Sequence, residues 1–344
     1  MSFLSVRPVR RGDLGDLLGI ARTSGTGMTT VPSTEEQMSA RIEASLAAFG
    51  AEGPASAKDV FFFVLDDGAR AVGMASIFPE LGQDRPFYTY RVSHLSTHAP
   101  DLDVRADTDI LSLVNDYHGY TEIGTLLVGE AARGQGAGRL LSLSRFAFLA
   151  SERPRFKDQV MAEIRGWFDE NEESPFWDAV AARFFHIGFE EADKRSAKDF
   201  RFIADLMPKY PVYVELLPKA AREVIGKPHP TSEYAMRMLQ AEGFAYRRCI
   251  DIFDAGPSVE CALDDIRTVR KARRLAVRIG EEADAPRELV ANPQKGCFRC
   301  LIATGPITDE TVTVTPQQAE RLELEDGDVA LVTPLRPAKT KAQA

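Results

Sequence analysis

The chain has 344 residues, 44 % of them hydrophobic and 27 % charged, with a formal net charge of −9. These totals fit a globular chain with more than one core, because single cores rarely grow beyond about 250 residues. They exclude a membrane-spanning helix, since no apolar run approaches the roughly 18 residues one needs, and argue against bulk nucleic-acid binding.

The opening "MSFLSVRPVRRGDL" lacks the apolar core of a secretory leader, so a cytoplasmic protein is expected. "FLSVRPV", residues 3–9, reads as a strand, and Asp13 is placed to cap a helix beginning "LGDLLGIART". Ser33 or Thr34 is expected to cap "EEQMSARIEASLAAFG", where Met38, Ile42, Leu46 and Phe49 recur at helical spacing. "VFFFVLDDGARAVGMASIF" predicts a hairpin around Asp67-Gly68, and "YTYRVSHLS" a further strand.

"YTEIGTLLVG" then predicts a central strand, followed by the loop "EAARGQGAG" and a helix with Leu140, Leu141, Ser144, Ala147 and Phe148 on one face. "DQVMAEIRGWFD" reads as a strand. Ser174-Pro175 supplies an N-cap and first-turn proline for one helix, "FWDAVAARFFHI", ending at Gly188. Thr231 or Ser232 is expected to cap "EYAMRMLQAEGF", and "RRCIDIFDAG" to form a strand.

From about residue 270 the strands "CFRCLIAT" and "ETVTVT" and the turn Asp326-Gly327 suggest a small all-β module, followed by a disordered tail at 337–344. Cys297 and Cys300 form a C-x-x-C without the second pair that a structural zinc site usually has. Buried free thiols and no metal are therefore expected.

The loop fails as a dinucleotide fingerprint, because position 139 is Arg, and as a P-loop, because it has no Gly-Lys-Ser/Thr. It does fit R-x-x-G-x-G, with Arg133, Gly136 and Gly138 between a strand and a helix. Glycines let backbone approach an anion, and the free N–H groups of a helix N-terminus point at it. Arg133, Gly134, Gln135, Gly136, Ala137 and Gly138 are thus the candidate pyrophosphate site.

This pattern resembles the acyl-coenzyme A loop of the GNAT superfamily of N-acyltransferases. Longer strings, among them "RTSGTGMTTVP", "LSLVNDYHG", "VMAEIRGWFDENEESPFWDAVAARFF", "FIADLMPKYPVY" and "EGFAYRRCIDIFDAGPSVEC", resemble the arginine N-succinyltransferase family from about residue 3 to 336. The resemblance implies an α+β, GNAT-like fold: a mixed, mainly antiparallel sheet flanked by helices, with a small barrel-like C-terminal module. It divides the chain into 1–265, with a second GNAT-like half from about 200, and 266–336.

The implied activity is transfer of succinyl from succinyl-coenzyme A, a co-substrate rather than a resident cofactor, to the α-amine of L-arginine. The family's proton donor falls on His229 in "GKPHPTS", and its coenzyme-binding strand residue near Leu126, with Leu127 and Val128 beside it. Glu122, on the same strand, is a candidate base through water. Among side chains suited to a guanidinium or a carboxylate, Asp116, Glu163 and Asp251 are candidates for the first and Arg91 for the second.

Where relatives typically read "NDHTG", this chain has Asn115-Asp116-Tyr117-His118-Gly119. A Tyr117 beside the acceptor pocket would change the amine accepted. Three readings therefore stay open: the arginine enzyme, a partner-dependent or non-catalytic subunit, and an acyltransferase for another amine such as ornithine. The family includes paired similar chains, so both homo-oligomers and hetero-oligomers are consistent with it.

Overall fold

The computed structural model describes residues 4–335, apart from 25, 26, 29, 84, 85, 135, 197–200, 283 and 284. Gln135 and the expected tail at 337–344 therefore lie outside the described residues. The alternating apolar segments become strands β1 (Ser5–Pro8), β2 (Phe61–Asp66), β3 (Ala71–Phe78), β4 (Thr89–Ala99), β5 (Val104–Val114), β6 (Thr121–Val128), β7 (Gln159–Glu163) and β8 (Val212–Tyr213). They continue as β9 (Ala245–Asp251), β10 (Pro257–Ala262), β11 (Arg273–Ile279), β12 (Arg287–Asn292), β13 (Arg299–Thr304), β14 (Thr311–Val314) and β15 (Val329–Pro334).

All fifteen join one hydrogen-bonded sheet in the order β14-β11-β15-β12-β13-β1-β2-β3-β6-β7-β10-β9-β4-β5-β8. The sheet is mixed and mainly antiparallel; the parallel neighbours are β6–β7 and β11–β14. Helices α1 (Leu14–Ala21) and α2 (Glu35–Gly50) cover one face of its central strands, and α3 (Ala137–Ser151) covers the other. Under α3, Phe148 meets Phe49, Phe61, Phe63, Phe156 and Phe298 with ring centroids 5.0–5.9 Å apart, so β1, β2, β13 and α3 share one core.

Thr34 caps α2 by accepting from Gln37 N–H, and Ser174 caps its helix by accepting from Trp177 N–H. Asp13 occupies the N-cap of α1 but makes no side-chain cap bond. Its carboxylate is taken instead by the buried Arg7 guanidinium, at 2.8 Å, and by Arg10 N–H. The single helix expected after Ser174 is two short ones, Pro175–Ala179 and Ala182–Phe185, interrupted at Val180, whose φ is −116° and ψ −81°. It closes at His186 in the left-handed conformation, φ 54°, before Gly188.

The C-terminal region also differs from the all-β expectation. It contains the helix Pro316–Leu322, closed by a capping box between Thr315 and Gln318, and its strands extend the main sheet through β13 and β1. A helix forms there because Thr315-Pro316 provides both cap and first-turn proline. Cys300 is buried as expected, but Cys297 is exposed, since the segment before β13 is a 3-10 turn, Lys295–Cys297, rather than strand.

Two features of this sheet position the site. First, β6 and β7 pair only at Thr121↔Val160 and Glu122↔Met161, and then diverge. Second, β7 is held on its other edge by β10 and by the turn Asp251–Gly256, packed so closely that a Cβ on Gly166 would collide with the Asp254 carbonyl and one on Gly256 with the Ile164 carbonyl. Gly166→Ala is expected to lower stability by about 1–3 kcal/mol, the usual cost of overpacking, with a matching fall in the urea midpoint; an unchanged midpoint would show that the turn yields freely.

Candidate active site

Where β6 and β7 separate, a cavity of about 140 Å³ opens through the sheet. Its walls come from residues 122–126 of β6, 162–165 at the end of β7, Ser142 and Arg145 of α3, the helix Glu233–Glu242 with its preceding Ser232, and the turn after β9. Gly27, Met28 and Thr30 close it from the segment between α1 and α2.

β6 is itself irregular here. Ser76 of β3 stands opposite Gly124, but Met74 stands opposite Leu127, so β6 carries one extra residue. Thr125 takes up the excess in the left-handed conformation, φ 55°. Such a conformation is costly for a branched residue, and it is held from outside the strand. Thr125 N–H donates to Thr30 Oγ1 at 3.0 Å, Thr125 Oγ1 donates to Thr30 O at 3.1 Å, and Arg41 Nη1 donates to the same carbonyl at 2.9 Å.

Of the strand residues singled out, Leu126 lines the cavity, Leu127 is buried toward α1 and α2, and Val128 packs toward α3. Beyond them a 3-10 turn, Glu130–Ala132, leads into the glycine loop. Gly134 and Gly136 have φ of 85° and 78°, and a Cβ on either would meet open space, so their need for glycine is conformational. Gly136 is the N-cap of α3 and no side chain caps that end, which leaves main-chain donors facing outward across Ala137 and Gly138. Arg133 folds back at the strand end, donating from Nε to Val128 O at 3.2 Å.

Four carboxyl groups border the cavity: Glu122 on β6, Glu163 at the end of β7, Asp251 at the end of β9 and Asp254 in the turn beyond it. Asp251 accepts from Phe253 and Asp254 N–H, and Asp254 accepts from Gly166 and Gly256 N–H. Burial pushes Glu163 well above the usual carboxylate range, and the charges of Asp251, Glu122 and Asp254 push it further. Asp254 is raised in the same way, by burial and then by Asp251. Like charges gathered in a buried site oppose one another's ionisation, so the cluster gives up its protons less readily than free carboxyls do.

His229 sits at the rim rather than in the lining. Its own N–H donates to Arg165 O, and Ser232, three residues on, lines the cavity. Thr231 N–H donates to Nδ1 at 3.2 Å, which leaves Nε2 to carry the proton of the neutral ring. Burial and then the Arg165 charge hold its pKa below the ordinary histidine value.

Arg91 and Asp116 do not join this site. They pair with one another at 2.5–2.8 Å, half-exposed on the β4 side. Tyr117 is also outside the lining, buried beside Met161 and Cys249. The cavity includes Asp254, Thr30 and Arg145, which sequence reasoning did not single out. For Arg145 a signal existed, a lone cation in the apolar helical run "LLSLSRFAFLA".

A family model described as arginine N-succinyltransferase beta subunit matches residues 4–268, and one described as its C-terminal domain matches residues 273–334. The chain belongs to the arginine N-succinyltransferase beta subunit family. An arginine N-succinyltransferase of Escherichia coli strain 55989 is 39 % identical over 328 residues, covering 94 % of this chain and 95 % of the relative, and one of Shigella flexneri matches to the same extent. The solved structure of arginine/ornithine succinyltransferase subunit AI from Pseudomonas aeruginosa matches with a TM-score of 0.89 at 32 % identity, covering 98 % of this chain and all of that one. Among the described residues no helix is long and apolar enough to cross a membrane.

A carboxyl whose pKa is raised by folding binds more protons in the native state than in the unfolded one, so its contribution to stability is lost as pH rises. Stability is therefore expected to fall as pH rises above the ordinary carboxylate range and Glu163 is forced to ionise, and Glu163→Gln to fall less steeply there. Urea titrations at several pH values check this; parallel slopes for the two proteins would place the buried proton elsewhere.

Proposed function

We propose that the chain transfers a succinyl group from succinyl-coenzyme A to the α-amine of L-arginine, releasing coenzyme A and N2-succinyl-L-arginine. One observation carries the reading. In a member of this family, the glycine-built, uncapped N-terminus of α3 lies at the end of the same strand whose split from β7 forms a cavity bordered by carboxyl groups. An anionic handle suits the first, a thioester arm the split, and a cationic amine the last.

In this reading the pyrophosphate meets the N–H groups of residues 136–138 and Arg133, and the pantetheine arm runs along Leu126 and Val128. Main-chain groups at the Thr125 bulge polarise the thioester carbonyl, where a negative charge grows as the amine adds. The carboxyl cluster holds the cationic acceptor, and Glu122 takes the proton that its ammonium must lose before attack. Collapse of the tetrahedral intermediate breaks the carbon–sulfur bond. His229 acts in this step as the imidazolium: it takes up the proton that the tetrahedral nitrogen still has to lose, donates from Nε2 to the departing thiolate, and is left as the neutral ring.

The same reading assigns residues 1–265 to the acyl-transfer unit and 266–336 to an accessory module, and sets the enzyme in the cytoplasm. A second reading has a specific motive, because the similar Pseudomonas aeruginosa protein is an arginine/ornithine succinyltransferase subunit. Thiol release from succinyl-coenzyme A, measured with arginine, ornithine and lysine, tests both. Release with arginine is expected. Its absence with every amine, for folded protein alone and mixed with a similar chain, would overturn the assignment.

Two variants test the parts. His229→Ala is expected to lower kcat by about 10²-fold, the low end of general acid–base contributions, while coenzyme A binding by calorimetry stays unchanged. Gly136→Val strains a left-handed position by roughly 1–2 kcal/mol and covers the anion site. It is expected to raise the Kd for coenzyme A at least tenfold and leave the KM for arginine near wild type.

A further inference from the structure

The cavity is charged on both sides of the sheet, but with opposite sign. Along β6, Glu122 and Gly124 face the segment containing Thr30, whereas Ile123, Leu126 and Val128 pack with α3. On β7, Ala162 and Ile164 lie on the α3 side and Glu163, by alternation, on the other. The carboxyl cluster and Arg145 therefore occupy opposite faces of the split between the strands.

Arg145 is 2 % exposed and lines the cavity. Its guanidinium donates to Gly124 O at 3.3 Å, to Ser142 O at 3.4 Å and to Ser142 Oγ at 3.2 Å. Among the described residues no carboxylate comes within ion-pair distance of it, unlike the buried Arg7, which has two. Burial pulls it down to about 9, the mark of a cation with no anion to compensate its lost hydration. A guanidinium kept in that condition beside an open space is matched by a planar anion, with which it forms paired charge-assisted hydrogen bonds.

The depth of the site identifies the anion. α3 starts at the coenzyme loop and runs back beside β6, so Arg145 lies about 12 Å along the helix from Ala137. Retracing β6 from Val128 to Gly124 covers about 13 Å. Both paths end level with the Thr125 bulge, where the thioester carbonyl is assigned above, and the Arg145–Gly124 hydrogen bond joins them. A succinyl thioester carries its free carboxylate two methylenes beyond that carbonyl.

We propose that Arg145 binds the terminal carboxylate of the acyl group and so selects a dicarboxylic acyl donor, while the amine approaches from the opposite, acidic face. This rests on the succinyl-transfer reading, and the two are separable by experiment. Arg145→Gln keeps an N–H for Gly124 O but removes the charge, and Arg145→Met removes both. Each is compared with wild type for kcat/KM with succinyl-coenzyme A and with butyryl-coenzyme A, its uncharged counterpart of equal chain length, using arginine as acceptor.

The preference for succinyl over butyryl is expected to fall on the order of a hundredfold in both variants, the usual scale for truncating a buried charge pair. Arg145→Lys should restore part of it, and coenzyme A binding should match wild type in all three. A folded Arg145→Gln that keeps the wild-type preference overturns the proposal, as does an equal loss with both donors, which would place Arg145 on the coenzyme itself. If Arg145→Met does not fold, the Gln and Lys variants carry the same comparison. Failure of wild type to use succinyl-coenzyme A at all would instead refute the underlying reading.

Discussion

The separation of β6 from β7 is the constraint on which the rest of the site depends. Parallel neighbours in a sheet normally hide their backbone groups in one another, and here pairing stops after Glu122↔Met161. What keeps the gap open is anchoring on both outer edges. β6 stays on β3 through a bulge clamped by Thr30 and Arg41, and β7 stays on β10 through the glycine contacts at 166 and 256. The unusual backbone at Thr125 and the uncommon closeness at Gly166 serve the same opening from its two sides.

That opening explains why ionisable groups are found where a sheet would ordinarily be apolar. Glu163 and Asp254 are destabilised as anions by burial and by the charge of Asp251, and Arg145 is destabilised as a cation by burial. Neither side is relieved by the other, because they lie on opposite faces of the split and, among the described residues, no carboxylate comes within ion-pair distance of Arg145. In the reaction proposed above, a cationic acceptor and an anionic donor tail would each supply what one face lacks. Part of the substrate binding energy in that reaction would come from ending unfavourable isolation that the fold enforces.

The strand–loop–helix unit at the centre was legible in the sequence because its period changes from two to nearly four across a run of glycines, and Ser174 and Thr34 were legible as caps from local chemistry alone. The gathering of Glu122, Glu163 and Asp251 was not, since it depends on the pairing of β7 with β10 and of β10 with β9. Arg91 and Asp116 show the opposite outcome: each was a sound candidate by residue type, and tertiary structure made them partners of one another. Asp254 was hidden as a turn residue; Arg145 stood out as a lone cation in an apolar helical run, but only packing reveals that it has no counter-ion among the described residues. The helix at Pro316–Leu322 was missed although its Thr-Pro start is explicit in the sequence.

The pairing of β1 has a consequence for how the chain assembles. Val6 lies opposite Cys300, so one edge of the first strand made is covered by one of the last. Until that partner is synthesised, β1 presents an open strand edge beside the phenylalanine core that Phe298 will later help to seal. A contact spanning nearly the whole polypeptide delays folding, because the loop must close before it is rewarded. The C-terminal module thus acts as a late-arriving cover for the first strand: a nascent or truncated chain that lacks it exposes an aggregation-prone edge even with every residue of the cavity already made.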